Sequence, residues 1–344
     1  MTESLGERIP ADHPIRQIKA LADEALKRLH DRFDTMYSRE GRPSTPPERL
    51  LKAQILIALF SVRSDRMFCE QLQYNLLFRW FLDMEMDEAA FDASTFSKNR
   101  HRLIEHEVGQ AFLASVVESA GLRRLVSSDH FSVDGTLIEA WASLKSFRPK
   151  GDDDPKDNNG WSDFKGQKRS NETHESKTDP ESRLARKGNS RDAKLCFNLS
   201  ALMENRNGIL MKVDTGTADG WAERDAAVDQ IQDLRRGSTI GADRGYDVRS
   251  FVALTRDAGC TPHIAQVDHR ASGIDGRTTR HAGYGISMIK RRLIEGCFGW
   301  IKTTGGLRKT RFRGVKKTNL FACIAAATYN LIRMTRLLSS PAPA

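Results

Sequence analysis

Met288-Ile-Lys-Arg-Arg-Leu-Ile-Glu-Gly-Cys-Phe-Gly-Trp-Ile-Lys302 carries one acid, Glu295, in a strongly basic neighbourhood. At about 100° per residue, a helix over this stretch places Arg291 about 40° and Lys302 about 20° from Glu295, with Met288 about 20° to its other side. One carboxylate is then flanked above and below by cations on a single face. The opposite face carries Leu293, Ile294, Phe298, Trp300 and Ile301, a broad apolar arc suited to packing on a sheet. A carboxylate held among cations stays ionised and can ligate a metal beside a polyanion. A surface helix with Arg–Glu pairing at a spacing of four would look the same, so acids elsewhere in the chain have to decide.

The +9 net charge of the 344 residues is unevenly placed. Arg277 to Lys317 holds twelve Lys/Arg against Glu295 alone, a local +11 that leaves −2 for the remainder. A patch this concentrated points to a phosphate-backbone partner, a nucleic acid. Apolar content of 39% and charge of 29% describe a globular protein long enough for two domains. Five isolated cysteines, with no C-x-x-C pair, argue against a disulfide framework or a zinc site and for a reducing cytoplasm. The first residues lack a signal-peptide pattern, and the apolar runs Leu50–Val62 and Leu320–Ile332 are too short to span a bilayer, so no membrane segment is expected.

In chain order, apolar spacing predicts helices over 14–37, 48–62 (with Thr45 as cap), pieces of 64–84, and 92–120 opening at Asp92 or Ser94. The early turns of the last would expose Lys98, Asn99, Arg100, His101 and Arg102. Two readings stay level there: a recognition helix for a DNA groove, or a helical bundle with a basic surface. Residues 1–125 form the expected N-terminal helical domain, and 126–338 a second domain, with a short tail at 339–344. His130 to Ala140 alternates as a strand containing Asp134. Residues 143–192 lose almost all aliphatics and read as a polar insertion or mobile loop. Strands near 193–203 and 208–215 form a hairpin; then come a helix (223–234), a short strand ending at Asp243, a helix (248–258), a strand (262–267), the basic helix, and a last helix over 318–338. Three early strands followed by alternation predict an α/β (α+β mixed) domain with a mixed sheet.

Asp134 and Asp243 each fall at an expected strand end, and Glu295 on a helix packed against the sheet. Cleavage of phosphodiesters by a two-metal site needs several such carboxylates. Oxygen-only ligands suit Mg²⁺, with Mn²⁺ as a substitute. Glu139, Asp214, Asp219 and Asp247 lie nearby as competitors; a place beyond the Gly245-Tyr246 turn makes Asp247 the better helix cap.

On Val133-Asp-Gly-Thr136, Ser170-Asn-Glu-Thr-His174, Leu202-Met-Glu-Asn-Arg206, Gly241-Ala-Asp-Arg-Gly-Tyr246 and the Arg291/Glu295/Lys302 helix, the chain resembles bacterial insertion-sequence transposases of the DDE type over nearly its whole length. The last motif is similar to a signature of Tyr, two residues, Arg, three residues, Glu, six residues, Lys; this chain has Met288 at the Tyr position and Tyr284 four residues earlier. The resemblance implies an RNase H-like catalytic domain and Mg²⁺-dependent cutting and joining of element ends by an oligomer of the chain on bacterial, nucleoid-associated DNA. It implies Asp134, Asp243 and Glu295 as metal ligands and Arg291 and Lys302 as holders of phosphates. From the charge pattern, Arg308, Lys309, Arg311 and Arg313 join the expected DNA-contacting residues, as do Lys98 and Arg100. A catalytically silent DNA-binding regulator, or a nuclease without strand transfer, would keep the same fold.

Overall fold

In the computed structural model, residues 5–36, 44–151, 169–188, 192–268 and 271–339 are described. The apolar periodicity of the first third folds into α1 (Pro14–Lys27), α2 (His30–Met36), α3 (Pro47–Leu59), α4 (Asp65–Tyr74), α5 (Leu76–Phe81), α6 (Ala93–Glu105) and α7 (Val108–Leu122). Two helices expected as continuous are broken. Between α1 and α2, the Leu29 N–H donates to the Leu26 carbonyl, a three-residue turn that ends the α-helical ladder. Between α6 and α7, Glu107 adopts a left-handed φ of 48°. Asp92 caps α6 as expected, accepting from the Ser94 and Thr95 N–H groups. Thr45 does not cap α3, whose cap is Pro46, with no side-chain hydrogen bond.

The second part holds β1 (His130–Glu139), β2 (Phe147–Pro149), β3 (His174–Ser176), β4 (Arg183–Ala185), β5 (Lys194–Glu204), β6 (Ile209–Thr217), α8 (Ala222–Ile231), β7 (Thr239–Ala242), α9 (Arg249–Asp257) and β8 (Thr261–Ile264). After these come α10 (Gly276–Thr279), α11 (Ala282–Lys290), α12 (Leu293–Lys302) and α13 (Val315–Ser339). The main sheet runs β6-β5-β1-β7-β8, with β4 alongside the start of β5. The first three strands are antiparallel, and β7 and β8 run parallel to β1. This is the mixed, RNase H-like sheet that was expected. The polar 143–192 stretch is more than a mobile loop. Among its described residues, β2 pairs with β3, and β4 joins the main sheet. The Asn171 side chain helps, exchanging hydrogen bonds with the backbone of Leu184 in place of a strand neighbour.

Side-chain alternation along β1 divides the domain. Phe131 and Val133 face α8 and α9 in a core with Ile231, Ile240, Phe251 and Val252. Ile138 faces the other way, into a continuous core that unites Ile294, Cys297 and Ile301 of α12, the buried length of α13, and the N-terminal helices. Between Thr318 and Thr335 α13 is largely enclosed, and its buried polar residues are hydrogen-bonded. Thr318, Thr328 and Thr335 donate to carbonyls four residues back, and Asn330 bonds both backbone groups of Leu210. No helix among the described residues is long and apolar enough to cross a membrane.

Candidate active site

Backbone register brings the two aspartates together. β1 and β7 pair from His130–Thr239 to Ser132–Gly241. Two residues further along each strand stand Asp134 and Asp243, on the same face. β7 ends at Ala242, one residue before Asp243. Asp134, by contrast, lies in the middle of the ten-residue β1 and not at a strand end. Beyond β7, therefore, β1 keeps an open edge, and a cleft of about 690 Å³ fills that space. Asp134, Asp243, Glu223, Glu295 and Lys302 line it.

Each aspartate has one oxygen anchored by backbone. The Gly135 N–H donates to Asp134 Oδ1 at 2.8 Å, and the Gly245 N–H to Asp243 Oδ1 at 2.7 Å. Burial pushes the Asp134 carboxyl up to about 7; the neighbouring Asp243 carboxylate pushes the same way, and the Gly135 N–H opposes. Glu223, on the first turn of α8, is likewise raised by burial and by Asp243. It reaches the cleft because Gly135 has no side chain: a Cβ there would meet Glu223 Cδ at 2.4 Å. Below it, the buried Tyr246 hydroxyl makes no hydrogen bond of good geometry, with Glu223 and Asp134 as its charged neighbours.

The facing wall is α12. Glu295, Phe298, Gly299 and Lys302 all line the cleft, which is the i, i+3, i+4, i+7 face of one helix. Lys302 Nζ donates to Thr136 Oγ1 at 2.5 Å, tying α12 to β1 two residues beyond Asp134. Burial lowers the Lys302 pKa, as do Lys187 and Arg308. The single long helix expected from 288 to 302 is interrupted. Arg292 and Glu295 donate to carbonyls three residues back, those of Ile289 and Arg292, so the turn tightens and the 100° spacing fails across it. Arg291 consequently leaves the face of Glu295 and packs its Cβ 3.4 Å from the Cβ position of Gly241. Leu293, expected in the apolar arc, is 44% exposed, and Cys297 takes its place in the core.

The remaining expected residues divide. Arg308, Lys309, Arg313 and Lys98 are exposed. Arg311 is not available in that way: its Nη1 donates to the Val62 carbonyl at 3.1 Å, and its guanidinium lies 4.7 Å from the Phe321 ring centroid. Arg100 is paired with Asp65 at 2.5 Å and stacked 4.6 Å from the Phe312 ring; Asn99 is buried too. Both arginines join the N-terminal helices to the segment before α13. Tyr284 donates to the Ile264 carbonyl at 2.9 Å, facing away from the cleft. Asp247 is fully buried and accepts from the Val267 and Gly273 N–H groups, so it stitches a loop, and Val248 takes the cap position of α9. Glu139 pairs with Lys194, Asp214 accepts from Gln230, and Asp219 accepts from the N–H groups that open α8. Glu223 was missed because an acid in the first turn of a helix is ordinary. Only the three-dimensional contact with Gly135 marks it.

Among the described residues, no three carboxylate, imidazole or thiol side chains are close enough to hold one ion unaided. The donor chemistry nevertheless fits a hard dication. Burial first, and then the Asp243 carboxylate, raise Asp134, and magnesium-class ions take one or two carboxylates plus waters and phosphates.

A mixed sheet that presents paired carboxylates at an open strand edge, faced by the helix that carries Glu295 and Lys302, is an arrangement suited to divalent-ion chemistry on phosphate esters. Comparison with protein families narrows it: residues 128–331 match the family described as Transposase DDE domain, and residues 3–102 match Transposase domain (DUF772). The chain belongs to the DDE transposase family and is a transposase. No curated protein is similar enough to count as a match. Among solved structures, the piggyBac transposase synaptic complex with hairpin DNA is similar at a TM-score of 0.45 and 10% identity, covering 96% of this chain and 77% of that one. The Mos1 strand transfer complex is similar at a TM-score of 0.25 and 12% identity, covering 96% and 87%.

Proposed function

We propose that this transposase cuts double-stranded DNA at the ends of its insertion sequence and joins those ends to target DNA, using Mg²⁺ or Mn²⁺ held by Asp134, Asp243 and Glu295. The observation that carries this reading is the in-register placement of Asp134 and Asp243 at the open edge of β1, with Glu295 on the helix face opposite. When bound, the ions would supply Lewis-acid stabilisation of the oxygens that attack and leave phosphorus.

The chain's own residues do the rest. The Gly135 and Gly245 N–H groups fix the aspartates so that their second oxygens face the cleft. Glu295 approaches from α12, across the cleft from both. Lys302, pinned at Thr136, sets a positive charge beside the reacting phosphate, where it orients the backbone and offsets developing charge. Exposed Arg308, Lys309 and Arg313 extend the phosphate-binding surface. Residues 1–125, with Lys98 exposed, would serve end recognition, and residues 126–338 the chemistry. Pairing two element ends calls for more than one copy of the chain.

The test is a supercoiled plasmid carrying the element with its own flanking DNA. Wild-type protein should nick it in Mg²⁺ or Mn²⁺, stop in chelator, and yield joined target products. Binding without metal-dependent nicking would make the chain a silent regulator; nicking without joined products would make it a nuclease.

A further inference from the structure

We propose that the cleft continues into a phosphate track over the far half of β1, between Arg186 and Lys187 on one side and α12 on the other, which holds the DNA backbone on one side of the scissile phosphate. The proposal rests on the reading above that the chain acts on DNA, and it assigns a role to the polar insertion.

The open edge is bounded at both ends. It begins where β7 stops at Ala242, and it closes at Glu139. There the Glu139 N–H donates to the Arg308 carbonyl at 3.1 Å, and the Thr310 N–H donates to the Glu139 carbonyl at 2.8 Å. Five residue steps of strand span about 17 Å. That is the axial length of about five phosphates of one duplex strand.

A second cavity of about 610 Å³ lies over the far half of β1 and the start of β5, between the residues that follow β4 and α12. It merges with the carboxylate cleft through Leu137, Ala185, Arg186, Lys187, Gly299 and Lys302, all of which line both. Lys302 lies at the junction and Arg308 at the far end. Arg186 and Lys187 follow directly on β4, the strand through which the insertion joins the sheet. Lys187 lines both cavities where they meet, and its charge acts on Asp134, Glu223 and Lys302 alike.

Charge is segregated along the edge. Three of the carboxylates, Asp134, Glu223 and Asp243, gather at one end. At the junction stand Arg186, Lys187 and Lys302; at the far end Lys194 is neutralised by Glu139, and Asp192 is the remaining acid beside Arg308. A merely solvated surface intersperses its signs. Here like charges stand together around a groove, an arrangement that a polyanion stabilises.

The test uses the full-length Arg186→Gln/Lys187→Gln variant and a short labelled synthetic duplex of arbitrary sequence, in chelator, across a salt series. Each phosphate contact contributes about 0.9 to the slope of log affinity against log salt, so the slope should fall by about 2. Both side chains are exposed, and the melting temperature should match wild type. Should the double variant melt early, Lys187→Gln alone should still lower the slope by about 1. An unchanged slope in a variant that melts like wild type overturns the track. Because the slope is read without divalent ions, it reports on the track whether or not the chain cuts DNA. Metal-dependent nicking by wild type, beside an unchanged slope, would remove the track and leave the catalytic reading intact.

Discussion

Glu223 and Gly135 occupy each other's space: the Glu223 carboxyl carbon stands 2.4 Å from where a β-carbon on Gly135 would be. Gly135→Ala should therefore push Glu223 out of the cleft and overpack the contact, at a cost of about 1–3 kcal/mol. Denaturant melts should show that cost nearly vanish in a Glu223→Ala background, since the two sites are directly coupled. Equal costs in both backgrounds would mean that β1 shifts as a whole to make room.

The raised Asp134 carboxyl predicts a pH dependence opposite in sign to the usual one for an acid. Its folded pKa, about 7, lies above the unfolded value, so between about 4 and 7 the folded state holds a proton that the unfolded state has lost. This contribution to stability is complete below the unfolded pKa and disappears as pH rises through 7, at no more than about 1.4 kcal/mol per pH unit. In metal-free buffer, Asp134→Asn should flatten the fall and melt above wild type at pH 8. A variant with the wild-type profile would assign the proton to another group.

Glu295→Gln keeps shape and removes one charge. Cleavage should fall by at least about a hundredfold, a loss of roughly 3 kcal/mol, while duplex binding persists. Asp134→Asn and Asp243→Asn should behave alike. Asp247→Asn should differ in kind: it sets an amide nitrogen against the Val267 or Gly273 N–H, at a cost of about 1–3 kcal/mol in stability, with cleavage per folded molecule retained. If Asp247→Asn melts normally but is dead, the site has been drawn around the wrong aspartate.

Arg100 and Arg311 should act on stability and not on DNA. Arg100→Ala leaves Asp65 unpaired beside Phe312, and Arg311→Ala strips the rings of Phe312 and Phe321 of a stacked guanidinium. Each should cost about 1–3 kcal/mol. Reversing Arg308, Lys309 and Arg313 should instead flatten the salt dependence of duplex binding and leave the melt unchanged. Loss of binding in a stably folded Arg100→Ala protein would restore the recognition-helix reading of α6.

What was readable in the chain follows the range of the forces involved. Alternation in β1, the Asn207-Gly208 hairpin and the apolar stripes of the helices are local patterns, so the element order and a mixed sheet could be anticipated; the RNase H-like form followed from the family resemblance. Asp134 and Asp243 could be named as strand acids, but their meeting depends on the β1–β7 register, a long-range pairing. The angular argument for Arg291 assumed an unbroken helix, and a single tightened turn at 291–292 undid it. Arg100 and Arg311 counted as free charge in a one-dimensional tally; their burial comes from tertiary packing on Phe312. The insertion looked structureless because β4 holds only three residues, too few for a period to register.

The uncovered stretch of β1 between Asp134 and Ile138 has a second consequence. An unpaired strand edge is a template on which another chain can add a strand, and exposed edges of this kind favour aggregation. This edge is guarded by charge at each end and along one wall, from the carboxylates to Lys187 and Arg308. An incoming peptide would have to strip water from all of them to form its ladder. A flexible polyanion needs no ladder and meets most of the same groups as partners. One distribution of charge thus keeps the molecule from pairing with itself and leaves the edge free for nucleic acid.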